Sequence, residues 1–303
     1  MSKELGVILL GLLTSFLFAL AAYFQQKAAR QTEREGTNIV EGLYALMRHL
    51  VRDRVWLTGW LVNLGGFAVQ AFALHLGTVA IVQPLLATQL MFALPMSSLE
   101  RKQWPRLRDW CSALGICGGL VLLLVVVDAA PLQGNPDRGK IILAVLSELG
   151  IIALLVPMAR RINHEVMNVA TAACAGLCFS MTGVFLKLTG DDLANHGVAY
   201  TATDWVGYAL AGSTLLGLVL EQAAFANGPL PWAIATKDSM NPIASYAVGV
   251  LAFPVAFPNG AGALAGIAGA GALLVLGAIG LAHSPSADLW LQRKEDTPAT
   301  GVR

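Results

Sequence analysis

The chain has 303 residues, 56% of them hydrophobic and 13% charged, with 20 Lys and Arg against 19 Asp and Glu. Soluble domains carry roughly 25% charged residues, and a soluble fold of this length has nowhere to hide so much apolar surface, whereas a bilayer accepts it as the solvent-facing side of spanning helices. The mean hydropathy of +0.63 agrees, and a net charge of +1 gives no reason to expect a nucleic-acid partner.

A membrane span needs about 20 mostly apolar residues. Taken in chain order, such stretches fall at 5–24, 55–75, 78–99, 109–127, 140–159, 166–188, 204–226, 230–256 and 262–282. The first follows Lys3 and in isolation resembles a secretory signal, but it is long enough to span and many equal runs follow it, so it reads as the first span. The expected fold is therefore an all-α integral membrane bundle of about nine transmembrane helices, with ten as the alternative count. Connections at Leu76–Gly77 and Asn227–Gly228 are so short that the helices they join must be antiparallel neighbours.

The long connection after the first span holds an amphipathic helix over 38–53. Val40, Leu43, Tyr44, Met47, Leu50 and Val51 recur at helical spacing, with Arg48, Arg52 and Arg54 among them. Such a helix lies at the bilayer surface with its basic side chains toward anionic headgroups. A helix that simply covers the bundle has the same pattern.

Lysine and arginine set the orientation, since they concentrate in cytoplasmic loops. Fifteen of the twenty fall on one side of a nine-span chain: Lys27, Arg30, Arg34, Arg48, Arg52 and Arg54, then Arg101, Lys102, Arg106 and Arg108, then Arg160 and Arg161, then Arg293, Lys294 and Arg303. Lys3, Arg138 and Lys140 fall on the other side, and Lys187 and Lys237 within spans. The expected placement is a multi-pass protein of the plasma membrane, with the N-terminus outside and the C-terminus cytoplasmic.

A weak internal repeat is visible. Trp60…Gln70-Ala-Phe-Ala-Leu74…Gly77 echoes Trp205…Glu221-Gln-Ala-Ala-Phe225…Gly228. Each copy ends in a tight turn, then a span carrying Pro84 or Pro242, then a glycine-rich span. This divides the chain into a first repeat of five spans (1–160), a second of four (161–283) and a cytoplasmic tail (284–303). An odd number of spans in the first copy inverts the second, an arrangement found in transporters.

Several of these segments resemble the drug/metabolite transporter superfamily, in its EamA-like and NIPA-like branches. The resemblance is carried by Phe18–Ala29 (FALAAYFQQKAA), Val79–Leu85 (VAIVQPL), Glu221–Gly228 (EQAAFANG), and Met240-Asn-Pro242 followed by Gly249. It covers most of residues 5–285 and points to a superfamily rather than a substrate. It implies two inverted repeats around a central cavity. Ten spans are usual in that superfamily, one more than this chain provides. The EamA-like branch implies metabolites, amino acids or drugs as cargo, and the NIPA-like branch implies Mg²⁺ and other divalent cations.

Ionisable and amide side chains inside spans are costly and normally face a cavity, a partner or a pathway. Glu148 sits mid-way along the fifth span with no basic residue near it in sequence, so it is a candidate proton-coupling group or a carboxyl hydrogen-bonded to a neighbouring helix. Glu221 and Lys237 flank the 227–228 turn at similar depth and are expected to pair. Asp238 and Asn241 are three apart and share a helix face. Pro242 leaves the carbonyl four residues earlier without its helical donor, so Asp238 and Asn241 are also the residues that would meet a hard cation. Asn63 and Gln70 share a face of the second span; Gln70 and Gln83 are further candidates for lining a cavity, with interhelical hydrogen bonding as the simpler role.

Cys174 and Cys178 lie on one helix face, as a soft-metal pair would, but no second ligand pair follows at metal-site spacing, and packing is the better reading. No cofactor is expected. The glycines of 109–127 and 262–282 have the small-xxx-small spacing of close helix packing, within the chain or in a homodimer. No HExxH, GxSxG or phosphate-loop pattern appears, and the five histidines are scattered, so an enzyme is not expected. The leading expectation is a secondary transporter of a small metabolite or drug-like solute, working by alternating access, with proton coupling through Glu148. A NIPA-like divalent-cation transporter and a non-transporting scaffold or accessory subunit are the alternatives.

Overall fold

The computed structural model describes residues 3–31, 39–77, 79–99, 104–126, 136–253 and 260–282, so the tail 284–303 lies outside the described residues. Within them every element is a helix: α1 (Lys3–Gln31), α2 (Ile39–Leu50), α3 (Arg54–Leu76), α4 (Val79–Leu86), α5 (Gln89–Leu99), α6 (Leu107–Val126), α7 (Arg138–Arg160), α8 (His164–Thr203), α9 (Trp205–Asn227), α10 (Leu230–Ala252) and α11 (Ala261–Ala282). Seven of these, α1, α3, α6, α7, α8, α9 and α11, are long and apolar enough to cross a membrane. α10 has 23 residues but carries Lys237 and Asp238 in its first half.

The stretch expected as one span over 78–99 is two helices. α4 ends at Leu86 and α5 begins at Gln89, with a turn at Ala87–Thr88 between them. The break centres on the Leu85 carbonyl. It accepts from the Thr88 backbone N–H at 3.0 Å and the Thr88 hydroxyl at 2.6 Å. It accepts also from the Ser15 hydroxyl of α1 at 2.7 Å. A carbonyl satisfied by a side chain three residues on and by a neighbouring helix no longer needs the ordinary helical donor. The Ala87 carbonyl, opened by the same turn, accepts from the Cys117 thiol of α6 at 3.0 Å.

α8 is also longer than the expected 166–188. It runs 40 residues to Thr203, with a kink at Gly197, whose φ of +80° only glycine adopts without strain. Its polar far end is held by Arg138 at the start of α7. The guanidinium pairs with Asp192 of α8 at 2.8 Å and with Asp204 at 2.9 Å. Asp204 also caps α9 by accepting from the Trp205 N–H. One arginine therefore ties three helix ends together. At the opposite end, Arg30 and Gln26 of α1 both donate to the Gly228 carbonyl in the α9–α10 turn, at 3.2 and 2.8 Å.

α2 packs on α1 and α9. Leu46 and Leu50 are buried and Leu43 and Met47 half-buried against the core, while Tyr44 and Val51, expected on the apolar face, are exposed. α1 packs along α3, α8 along α9, and α6 along α11. The last pair is a glycine seam: a Cβ on Gly277 would fall 2.7 Å from the Ser112 carbonyl and 2.6 Å from the Ile116 side chain. The glycines of 109–127 and 262–282 thus meet within the chain at this seam, while Gly118, Gly262 and Gly271 have open space beside them.

Candidate functional site

A cavity of about 640 Å³ opens midway along the helices, between α1, α3, α5, α6, α8, α9 and α10. Its walls are largely aromatic and aliphatic: Phe18, Trp60, Phe67, Phe179, Phe225 and Tyr246, with Leu120, Leu123 and Leu124 from α6.

The ionisable groups of the cavity stand together on α9 and α10. The Lys237 ammonium donates to Glu221 Oε1 at 2.7 Å and lies 3.3 Å from Asp238 Oδ1. It also stands 5.8 Å from the centre of the Phe179 ring, within cation–π range. The short Asn227–Gly228 turn brings the two helices together at this depth, as the sequence spacing predicts. Asp238 is the most open of the three, its side chain 29% exposed against 17% for Lys237 and 12% for Glu221.

Asn241 and Pro242 continue the same face of α10 into the cavity, followed by Ser245, whose hydroxyl donates to Asn241 Oδ1 at 3.4 Å. α8 can pass this close only because residue 176 is glycine. A Cβ there would fall 2.6 Å from the Lys237 carbonyl and 2.8 Å from Met240. Backbone cannot yield as a flexible side chain can, so the position holds α10 where its polar face meets the cavity.

Asn63 and Gln70 line the cavity from α3, on one face as their spacing predicts. Gln83 lies in α4, with its side chain outside the described residues. Glu148 does not line the cavity. It is buried between α7 and α8, where Oε1 accepts from the Ser180 hydroxyl at 3.2 Å and Oε2 has no hydrogen-bond partner among the described residues.

Sequence pattern alone missed a polar layer around the cavity. Gln25 lines it from α1 and accepts from the Gln222 amide at 2.8 Å, while Gln222 accepts from the Trp56 indole at 3.0 Å. Gln89 lines it from the start of α5, and Thr182 and Thr214 from α8 and α9. Gln25 and Gln222 sit inside the segments that carry the family resemblance, and that position was the available signal. Gln89 stands beside the break in the third expected span, which its sequence does not announce.

Fold and cavity together define a polytopic α-helical membrane protein. No family model matches the chain, and no solved structure matches it. It is similar to an uncharacterized protein of Corynebacterium glutamicum, 27% identical over 261 residues that cover 83% of this chain and 86% of that protein.

Proposed function

We propose that the protein is a secondary transporter of a small organic solute in the plasma membrane, working by alternating access in the manner of the drug/metabolite transporter superfamily. The observation that carries this reading is the cavity itself: about 640 Å³ with a charged triad in its wall, midway along helices of membrane length. A scaffold has little use for such a cavity: pairing satisfies Lys237 and one carboxylate, but a second mid-membrane carboxylate is costly unless a pathway or ligand uses it.

The packing supports nine spans in an inverted five-plus-four repeat. Take α1, α3, α4–α5, α6 and α7 as the first set and α8, α9, α10 and α11 as the second. α1 then packs on α3 as α8 packs on α9, and α1 on α5 as α8 on α10. α5 meets α10 and α6 meets α11, as corresponding elements close to a pseudo-twofold axis do. The segments that carry the family resemblance also converge: Gln26 donates to the carbonyls of Phe225 and Gly228.

The divalent-cation reading has less support. Asp238 and Asn241 do share the cavity face, but the Lys237 ammonium stands inside the oxygen set and would repel a metal ion. Reconstitution tests the transport reading. Proteoliposomes containing the protein should take up a panel of labelled amines, amino acids and sugars with saturable kinetics for at least one, and Asp238→Asn should abolish that component. Uptake equal to that of empty liposomes across the whole panel overturns it.

A further inference from the structure

We propose that the cavity selects an organic monocation, bound at Asp238, and that Lys237 is a built-in competitor for the same carboxylates. The inference rests on the transport reading of this cavity and names its cargo class.

Two carboxylates face one ammonium, so the triad carries one surplus negative charge when both acids are ionised. Glu221 is the closer partner of Lys237 and the least exposed of the three, which makes it the neutralised member. Asp238 is more distant from the ammonium and more open to the cavity, so the surplus falls there. The remaining described lining is uncharged. An anion entering this space meets a net negative triad; a cation meets a carboxylate in a low-dielectric wall.

The triad already shows what it accepts. Lys237 holds an alkylammonium between two carboxylates and over the face of Phe179, which is how proteins recognise ammonium groups. A hard divalent ion instead demands several oxygen ligands and keeps its water. Among the described residues no group of three or more His, Cys, Asp or Glu could hold one. The rings of Trp60, Phe67 and Tyr246 suit an apolar body attached to the cation. Loading such a ligand at Asp238 weakens the hold of the triad on Lys237, so substrate entry and loosening of the α9–α10 pair are one event.

Binding to the purified, lipid-reconstituted protein decides the matter without requiring transport. The probes are benzyltrimethylammonium, its neutral carbon analogue neopentylbenzene, and Mg²⁺. The ammonium should bind, the neutral analogue at least about tenfold more weakly, and Mg²⁺ should not displace it. Asp238→Asn and Glu221→Gln should each weaken ammonium binding about tenfold or more, since each removes the surplus charge. Lys237→Met should tighten it, because the competitor is gone. A double variant, Glu221→Gln with Lys237→Met, should recover the binding that Glu221→Gln loses, because Asp238 then carries the single surplus charge again.

Equal binding of the neutral analogue, displacement by Mg²⁺, weaker binding in Lys237→Met or failure of the double variant to recover each overturns the proposal. Should the protein bind the ammonium while proteoliposomes show no uptake, the transport reading fails and the site stands. Saturable uptake of a neutral or anionic solute with no ammonium binding overturns the monocation site and leaves transport standing.

Discussion

Glu148 and Asp238 are both carboxyls in the middle of long helices, and the fold treats them differently. Asp238 opens into the cavity beside an ammonium. Glu148 is closed between α7 and α8, with one hydroxyl on Oε1 and no partner on Oε2 among the described residues. A carboxyl so placed can release or take a proton without touching the solute. Glu148→Gln is therefore expected to leave the affinity for solute within about twofold, well under the tenfold that about 1.4 kcal/mol represents. It should also flatten the pH dependence of transport, checked as uptake into proteoliposomes from mildly acidic to mildly alkaline pH. A variant whose pH profile matches the parent removes Glu148 from coupling. Asp192 is a different case: buried, ion-paired to Arg138, and near the end of α8. Asp192→Asn should destabilise the protein by on the order of 1–3 kcal/mol, read as a lower melting temperature in detergent, because it leaves a guanidinium short of one partner.

At the scale of elements, the α8–α10 crossing depends on Gly176. A larger residue there has no space, since the Lys237 carbonyl and Met240 occupy it. Gly176→Val should cost about 1–3 kcal/mol of stability, typical of overpacking, and lose solute binding by displacing Asp238 and Asn241. Thermal melting and binding on the same preparation check both. Apolar length made seven of the helices legible in the sequence. The Glu221–Lys237 pair was legible too, because a two-residue turn fixes the depth of both partners. The shared faces of Asn63 with Gln70, and of Asp238 with Asn241, followed from helical spacing alone. The break at Ala87–Thr88 was not legible: it depends on Ser15 and Cys117, far away in sequence, reaching the freed carbonyls. That Glu148 would meet Ser180 of α8 was not legible for a related reason. Periodicity gives the depth of a residue along its helix but not which neighbour its face meets.

For the whole molecule, the hydrogen bonds sort the helix ends into two faces. Arg30 meets Gly228 on one, and the Trp232 indole donates there to the Leu281 carbonyl at 2.9 Å. On the other, Arg138 meets Asp192 and Asp204, and the Asp137 N–H donates to the Ala252 carbonyl. The bias of basic loop residues predicts that the first face is the cytoplasmic one. Cysteines placed at exposed positions of a Cys111→Ser background test this. Ala202→Cys should react with a membrane-impermeant maleimide in intact cells, and Arg161→Cys only after lysis; the reverse pattern inverts the assignment.

The Gly228 carbonyl, held twice by α1, also has a mechanical meaning. A stiff hairpin fixed at its tip can only turn about that tip, so displacement grows with distance from it. At about 1.5 Å per residue, Asp238 lies roughly 15 Å along α10 from that fixed point and Tyr246 roughly 27 Å. Were the Asp137–Ala252 hydrogen bond at the far end of α10 released, a swing of the hairpin would move Tyr246 nearly twice as far as Asp238. That lever has its fulcrum at Gly228, Asp238 on its short arm and Tyr246 on its long arm.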